Sequence, residues 1–546
     1  MMPKNQPVPT HNDLPTECLK LEHLEKSCLQ LGDLEKSSSK PGLDPSFNEE
    51  NRPLSQLILI MIGLALAMLL ATLDRTIVAT ALPKIATDFN AFDQSTWVAT
   101  AYMLTATACQ PLYGKLSDIF GCKATFLAAI TIFEIGSALS GASQSMNMLI
   151  VARAIGGMGG GGVQGMSYIV MSKIIPIRER GKYQSFISAT VALSSVLGPL
   201  LGGVFTDEAT WRWAFYINLP IGVVTVIIMV LFLRLPSTKG SFWGKIKRID
   251  FIGTLLLLGF IITLLLPIQW GGEKYPWSSS IIIGLFCVSG VLLIAFIAVE
   301  YKVAAEPIIP CRLFGMRSLL FAFIAMFFYG MVFFGMIYYI PMFYQIVLGD
   351  SAIASGLRML PMVLSVSLVS IVAGQLTSLT GIVTIWCWIG SAVMTVGAGL
   401  ITLFNLDTTS ARQIGYLLLL GAGAGGCPQT LILASQAAVE RKDVSIVTSL
   451  CNFSRSIGGV LAISIFGAIF NNRLAAGLAE LNLNIPIKDA TKGLQFLDSL
   501  PLGEREPVVS VYIHVLQTIF TVAVFVAGAT FLFSLGVKYT RLPKTK

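Results

Sequence analysis

Charge is scarce in this chain. Only 12% of its 546 residues are Asp, Glu, Lys or Arg, whereas 54% are apolar. An ordinary soluble domain is about one quarter charged, so this composition excludes a typical water-soluble protein. The net charge of +8 gives no reason to expect nucleic acid as a partner, because the basic residues are concentrated in loops between long apolar stretches.

Residues that bind metals or nucleotides are also few. The nine cysteines occur without a C-x-x-C pair, and the three histidines, His11, His23 and His514, are far apart. We therefore expect neither a disulfide framework nor a metal site. No G-x-x-x-x-G-K-[ST] motif is present, and the G-x-G-x-x-G that begins at Gly157 lies inside an apolar stretch with no strand before it. We therefore expect that the protein is not an enzyme and needs no cofactor.

What the chain has instead is a series of apolar stretches, each long enough to cross a bilayer. We count fourteen, at 57–79, 95–113, 124–143, 148–171, 184–206, 213–233, 251–270, 280–299, 318–340, 354–376, 382–403, 414–434, 447–469 and 511–535. They predict an all-α integral membrane protein.

The later half of the chain repeats the earlier half. The G-x-L-x-x-x-x-G that starts at Gly114 recurs at Gly374, and Glu179-Arg180 recurs at Glu440-Arg441. Matches in one order at a nearly constant offset indicate two homologous bundles related by a parallel repeat. The predicted parts are a disordered cytoplasmic tail (1–53), a six-helix bundle (54–234), a two-helix insertion (235–316), a second six-helix bundle (317–536) with an external loop (470–510), and a cytoplasmic tail (537–546).

The distribution of lysine and arginine predicts the orientation. The loops on one side, with the C-terminal tail, carry about 20 of them, whereas the short loops on the other side carry about four. Positive charge is retained on the cytoplasmic side, so we expect both termini in the cytoplasm. A plasma membrane is the expected location, with a vacuolar or vesicle membrane as the alternative.

Several motifs together resemble a known family. They are the loop Gly114-Lys115-Leu116-Ser117-Asp118 through Lys123, the segment Leu73-Asp74-Arg75-Thr76, the run Leu197-Gly198-Pro199 through Gly203, and Trp211-Arg212-Trp213 with Asn218-Leu219-Pro220. These motifs are similar to those of the 14-helix drug:proton antiporters of the major facilitator superfamily, especially fungal multidrug and mycotoxin efflux pumps. The resemblance covers about residues 55–540. It implies two six-helix bundles plus two inserted central helices.

Charged residues inside a membrane span are costly and are candidates for function. Asp74 could alternate between its protonated and ionised states while Arg153 tunes its pKa, or it could be an interfacial charge paired with Arg75. Arg455 is a further candidate, because it lies in the helix that repeats the fifth one. We predict that Asp74, Arg153 and Arg455 couple transport to protons.

The loop after the second span is the predicted cytoplasmic gate. Asp118 would lie beside a helix N-terminus, where Lys115 and Lys123 could exchange as its partners. Gly114 and Gly121 frame this loop, and Ser378 replaces the aspartate in the repeated copy. The alternative is a turn that only sets topology.

Small residues in the fifth span form the predicted antiporter motif. Gly198, Gly202 and Gly203 allow close helix contact, and Pro199 favours a kink. The resemblance implies that this motif marks an antiporter, and a plain packing interface is the alternative.

The substrate cavity is predicted from polar and aromatic residues inside the spans. The candidates are Gln164, its repeat copy Gln429, and the aromatic residues Phe333 and Tyr338. Such a cavity suits small amphipathic or cationic organic compounds. We predict a monomeric, proton-driven exporter of drugs, toxicants or secondary metabolites that needs no cofactor. An importer of siderophores or vacuolar amino acids, or a transporter-like nutrient receptor, is the alternative.

Overall fold

The computed structural model describes residues 53–91, 94–235, 238, 241–271, 275–303, 306–481 and 502–542. The predicted N-terminal tail, apart from Pro53, lies outside these residues, as do the end of the C-terminal tail and the middle of the predicted external loop. The described residues contain helices and no β-strand.

Fourteen long helices follow one another in the residues that the structure describes. They are α1 (Leu54–Asp88), α2 (Ser95–Phe120), α3 (Cys122–Gly141), α4 (Met146–Ile174), α5 (Arg180–Glu208), α6 (Asn218–Phe232), α7 (Phe251–Trp270), α8 (Ser280–Lys302), α9 (Arg317–Ile346), α10 (Leu360–Thr380), α11 (Thr384–Ile401), α12 (Ser410–Ala437), α13 (Val444–Glu480) and α14 (Leu502–Leu535). Each coincides with one predicted span. The all-helical membrane fold is therefore confirmed.

Twelve of these helices are both long and apolar enough to cross a bilayer. The two that fall short are α2 and α4, which are 26 and 29 residues long. In α4 the lower hydropathy has a physical reason, since this helix is rich in glycine and is buried among other helices along most of its length instead of facing lipid. The count of fourteen membrane crossings stays a prediction.

Glycines in α4 and in its repeat copy α12 allow these helices to pack closely against their neighbours. A methyl group on Gly161 would overlap the backbone of Ala106 in α2, and one on Gly159 would overlap Phe133 in α3. In the second bundle, Gly425 meets Val366 of α10 in the same way, and Gly423 meets Met394 of α11. The glycine run that matches a nucleotide-binding pattern is thus part of a helix-packing surface.

A second pair of contacts also repeats between the bundles. In the first bundle, α5 packs on α1, where Gly198 lies against Thr76. In the second, α13 packs on α9, where a methyl group on Gly458 would overlap the backbone of Phe327. The same helix pairs therefore hold each bundle together, as the internal sequence repeat predicts.

The inserted helices α7 and α8 pack on each other, and α7 also touches the first bundle. Ser289 of α8 donates a hydrogen bond to the carbonyl oxygen of Phe260 in α7 at 3.3 Å. At the other end of α7, Trp270 packs edge-on against Trp97 of α2, with ring centroids 5.8 Å apart. The insertion therefore lies beside the bundles as an added pair.

Helices extend into the predicted external loop from both sides, since α13 runs on to Glu480 and α14 already begins at Leu502. Residues Phe470, Leu474 and Leu478 of this extension are spaced four apart and are buried. Phe470 packs against Tyr512 of α14, with ring centroids 6.2 Å apart. This apolar face stabilises the helical extension. The external position of residues 470–510 stays a prediction.

Candidate functional site

A cavity lies between the two bundles at the level of the middle of the helices. Residues of α1, α2, α4, α9 and α13 line it. Its walls carry four kinds of group: a guanidinium from Arg75, amides from Gln110 and Gln164, rings from Tyr102 and Phe334, and a hydroxyl from Ser456.

The structure places one of the four predicted cavity residues in this cavity. Gln164 lines it and accepts a hydrogen bond from Gln110 at 3.2 Å. Its repeat copy Gln429 instead hydrogen-bonds Ser188 of α5 at 2.5 Å, in the contact between the bundles. The predictions for Phe333 and Tyr338 need correction, because Phe333 stacks on Tyr329 and the side chain of Tyr338 is 55% exposed.

A buried ion pair lies behind one wall of the cavity. Asp74 is fully buried, and its Oδ2 accepts a hydrogen bond from Arg153 at 2.5 Å. Asn218 donates to the other carboxylate oxygen, Oδ1, at 3.2 Å. The structure thus brings Asp74 and Arg153 together and pairs Asp74 with Arg153, not with its neighbour Arg75. These contacts tie α1, α4 and α6 to one another.

Tyr102 of α2 connects this ion pair to the cavity. Its ring lies against the guanidinium group of Arg153, 4.3 Å from ring centroid to Cζ, and it also lines the cavity. Its hydroxyl donates to the carbonyl oxygen of Ala71 in α1 at 3.3 Å. A shift of Arg153 would therefore move a side chain that forms part of the cavity wall.

Two arginines lie apart from that ion pair. Arg75 lines the cavity, and its guanidinium group lies 5.5 Å from the centroid of the Phe334 ring. Arg455 of α13 directly precedes Ser456, which lines the same cavity. Its Nε is buried and has no hydrogen-bond partner among the described residues. The sequence predicts a role for Arg455 in proton coupling, but it suggests Arg75 only as a partner of Asp74.

Sequence reasoning also missed Asn218 and Tyr102 as site residues, and it named Phe334 only as one of several aromatic residues of α9. Asn218 was noted only as part of a family motif, although an amide at the start of an apolar helix is itself a signal for a buried hydrogen bond. Phe334 follows Phe333 directly in an aromatic run. Choosing between such neighbours needs the rotation of the helix, because consecutive residues point about 100° apart.

At the end of the bundles that carries the basic loops, the two bundles are in contact. We call this the basic end, and it is the end predicted to be cytoplasmic. A methyl group on Gly114 of α2 would approach the Ser445 carbonyl oxygen of α13 to 3.0 Å. Gly121 ends α2 with φ of 93°, which side chains rarely adopt. Both predicted gate glycines are thus required by the local geometry.

The lysines of the predicted gate have other partners than expected. Lys115 forms an ion pair with Glu306, which precedes α9, at 3.0 Å, and Arg248 binds the same carboxylate at 2.7 Å. Lys123 donates to the carbonyl oxygen of Val230 at 2.7 Å. Neither lysine forms an ion pair with Asp118 within the part of the chain that the structure describes. The charge cluster therefore joins the first bundle to the loops that flank the insertion.

Hydrogen bonds close the same end between α5 and α10. Ser185 donates to the carbonyl oxygen of Ser370 at 2.8 Å. Arg178 donates to the carbonyl oxygens of Ser378 and Leu379 at 2.9 and 2.8 Å, where it caps the last turn of α10. Ser378 is the repeat copy of Asp118, so the two copies of the gate loop are held differently. The basic end is closed in this structure.

The predicted antiporter motif lies in α5, where two of its glycines face α1. A methyl group on Gly202 would lie 2.6 Å from the carbonyl oxygen of Ile77, and one on Gly198 would overlap Thr76. Gly203 has nothing within 4 Å of the corresponding position. Pro199 falls within the helix, and its side chain lies outside what the structure describes.

Two helical bundles with a cavity between them and a closed seal at one end are typical of membrane transporters that work by alternating access. The family model of the Major Facilitator Superfamily matches residues 64–463. The chain belongs to the major facilitator superfamily, and it is therefore a transporter and not an enzyme.

Two fungal efflux pumps are similar to this chain over most of its length. It is 37% identical to the MFS-type efflux pump MFS1 of Arthroderma benhamiae over 89% of this chain and 91% of that one. It is 36% identical to the efflux pump aflT of Aspergillus parasiticus over 90% and 97%. The fold is similar to that of the proton:xylose symporter XylE, with a TM-score of 0.55 and 14% identity over 90% of this chain and 98% of that one.

Proposed function

We propose that this protein exports small organic compounds from the cell, drugs, toxicants or secondary metabolites among them, in exchange for protons. The observation that carries the proposal is the buried ion pair between Asp74 and Arg153, placed directly behind the Tyr102 wall of the central cavity. Relatives that are named efflux pumps over almost the whole chain support the direction of transport.

The ion pair offers a way to couple a proton to the shape of the cavity. Ionised Asp74 holds Arg153 on one oxygen and Asn218 on the other. A proton on Asp74 removes the charge that attracts Arg153, and a buried cation without its partner is unstable where it lies. Arg153 then shifts and moves the Tyr102 ring. In this way proton binding changes the cavity and the contact among α1, α4 and α6.

Export is tested by accumulation of a fluorescent dye in cells with and without the protein. We expect lower dye accumulation in cells that carry it and recovery of accumulation when a protonophore collapses the gradient. Higher accumulation would instead identify an importer, and no change for any dye would favour the receptor alternative. Loss of dye that is insensitive to the protonophore would contradict proton coupling while leaving export in place.

The cluster around Glu306 is proposed to latch the basic end. Arg248 first, and Lys115 with it, hold the Glu306 carboxylate and lower its pKa to about 2 from its usual value of 4.5. A lowered pKa means that this stabilising contact is fully present above about pH 4.5 and is lost only as pH falls toward 2. The latch is therefore independent of pH in cells, and proton coupling must act elsewhere.

Replacement of Glu306 by Gln is expected to loosen the basic end, because two cations lose their shared counter-ion. A cysteine placed at Ser188, beside Gln429 in the seal, should then react with a maleimide several times faster than in the parent protein. The reaction rate of that cysteine is the measurement.

The matched control is Glu440→Gln. Glu440 also forms an ion pair, with Lys442 at 2.6 Å, but both side chains are exposed and belong to one loop. An exposed pair of this kind contributes little. Equal labelling rates for the Glu306 and Glu440 variants would refute the latch.

A further inference from the structure

We propose that the central cavity binds aromatic compounds that carry an acidic group, with Arg75 and Arg455 as counter-ions for the anion. This inference rests on the proposed function as an exporter of small organic compounds, and it names the class of compound. It keeps the amphipathic substrates expected from the sequence and replaces the cationic ones with anionic ones.

The first argument is the balance of charge around the cavity. Arg75 lines the cavity, Arg455 adjoins it next to Ser456, and Arg153 lies with Asp74 behind its Tyr102 wall. The site thus contains three guanidinium groups and one carboxylate. That carboxylate is already taken, since Arg153 and Asn218 bind its two oxygens. Arg75, which lines the cavity, and Arg455, which adjoins it, form no ion pair within the described residues, so two positive charges are in excess at this place.

The second argument is where the two arginines lie. Arg75 belongs to α1 of the first bundle, and Arg455 belongs to α13 of the second. Like charges near each other in a poorly hydrated space repel strongly, and an intramembrane charge without a partner marks a ligand pathway. An anion between them would remove this repulsion and bridge the bundles. A cationic ligand would add a third uncompensated charge.

The remaining walls indicate what the anion is attached to. The rings of Tyr102 and Phe334 form flat apolar surfaces, and the ring of Phe334 lies under Arg75. Beside them, the Oε1 of Gln110 is buried without a hydrogen-bond partner. It can accept a hydrogen bond from a ligand hydroxyl. These features fit a planar aromatic acid that also carries hydroxyl groups.

Three naphthalene compounds of similar size isolate the effect of charge. They are 2-naphthoate, 2-naphthamide and 2-naphthylmethylammonium, which carry a negative, no and a positive charge. The full-length protein is purified in detergent, and each apparent Kd is obtained from the ligand-induced rise in Tm. We expect 2-naphthoate to bind most tightly, the amide at least tenfold more weakly and the ammonium compound not at all.

Variants then assign the site. Arg75→Gln and Arg455→Gln should each weaken 2-naphthoate binding tenfold or more and leave 2-naphthamide binding unchanged, while Arg75→Lys should retain part of the affinity. Arg412→Gln is the control, because Arg412 is exposed in the first turn of α12. Without ligand, neither cavity variant should have a lower Tm than the parent, since each removes an uncompensated charge.

Tighter binding of the ammonium compound, or 2-naphthoate binding that survives both Gln substitutions, would overturn the inference. These results are separate from the dye test of export. If cells show no export but 2-naphthoate binding requires Arg75, the anion site stands and the proposed function fails. Export with a preference for cations overturns the anion site alone.

Discussion

Asp74→Asn is expected to abolish proton-driven export while the protein still reaches the membrane. An amide has nearly the same shape as a carboxyl group but cannot take up and release a proton. It also cannot neutralise Arg153, which donates to Asp74 at 2.5 Å and is itself buried. We expect dye accumulation in cells with this variant to equal that in cells without the protein, at equal protein amounts in the membrane.

Loss of stability must be separated from loss of coupling. Removing one partner of a buried ion pair costs about 3 to 5 kcal/mol, because the other charge is left uncompensated. The double variant Asp74→Asn with Arg153→Gln removes both charges. We expect its Tm in detergent to recover most of the loss, whereas dye export against a gradient remains absent.

One result would remove Asp74 from the mechanism, namely proton-driven export by the double variant at the level of the parent protein. Glu134 of α3 would then be the carboxyl group to test, since both of its oxygens are buried and lack a hydrogen-bond partner in the described part of the chain. Glu134→Gln in the parent background therefore completes the set.

The sequence was most informative where the bilayer itself imposes a rule. A helix must satisfy its own backbone in lipid, so long apolar stretches are helices, and each of the fourteen stretches matches one. The same reasoning marks charges within spans as unusual, which singled out Asp74 and Arg153 before their contact was known. The repeat predicted which helix pairs correspond.

Features that depend on helix rotation or on distant parts of the chain could not be predicted. Arg75 follows Asp74 directly, and only the packing of α1 decides that one faces Arg153 and the other the cavity. The partner of Lys115 is Glu306, almost 200 residues away in a loop after the insertion. That α13 continues as a helix to Glu480 could not be predicted either, because Leu474 and Leu478 are buried in a core shared with distant parts of the chain.

The antiporter motif allows a test in which neighbouring positions serve as control. Gly202→Ala is expected to abolish export, because its methyl group would lie 2.6 Å from the carbonyl oxygen of Ile77 in α1. A backbone atom cannot turn away as a side chain can, so α5 must move from α1. Forcing a methyl group into a tight contact costs about 1 to 3 kcal/mol.

Gly203→Ala makes the same chemical change one residue later, where nothing lies within 4 Å, and should leave export and Tm unchanged. The pair therefore separates helix contact from any general effect of glycine in α5. If motif glycines acted by making the helix flexible, both substitutions would impair export alike, since each removes the same backbone freedom. A defect in Gly202→Ala alone would show that the motif acts by holding α5 against α1, the helix that carries Asp74 and Arg75. Close contact at Gly202 would then keep the coupling residues in place while the bundles move.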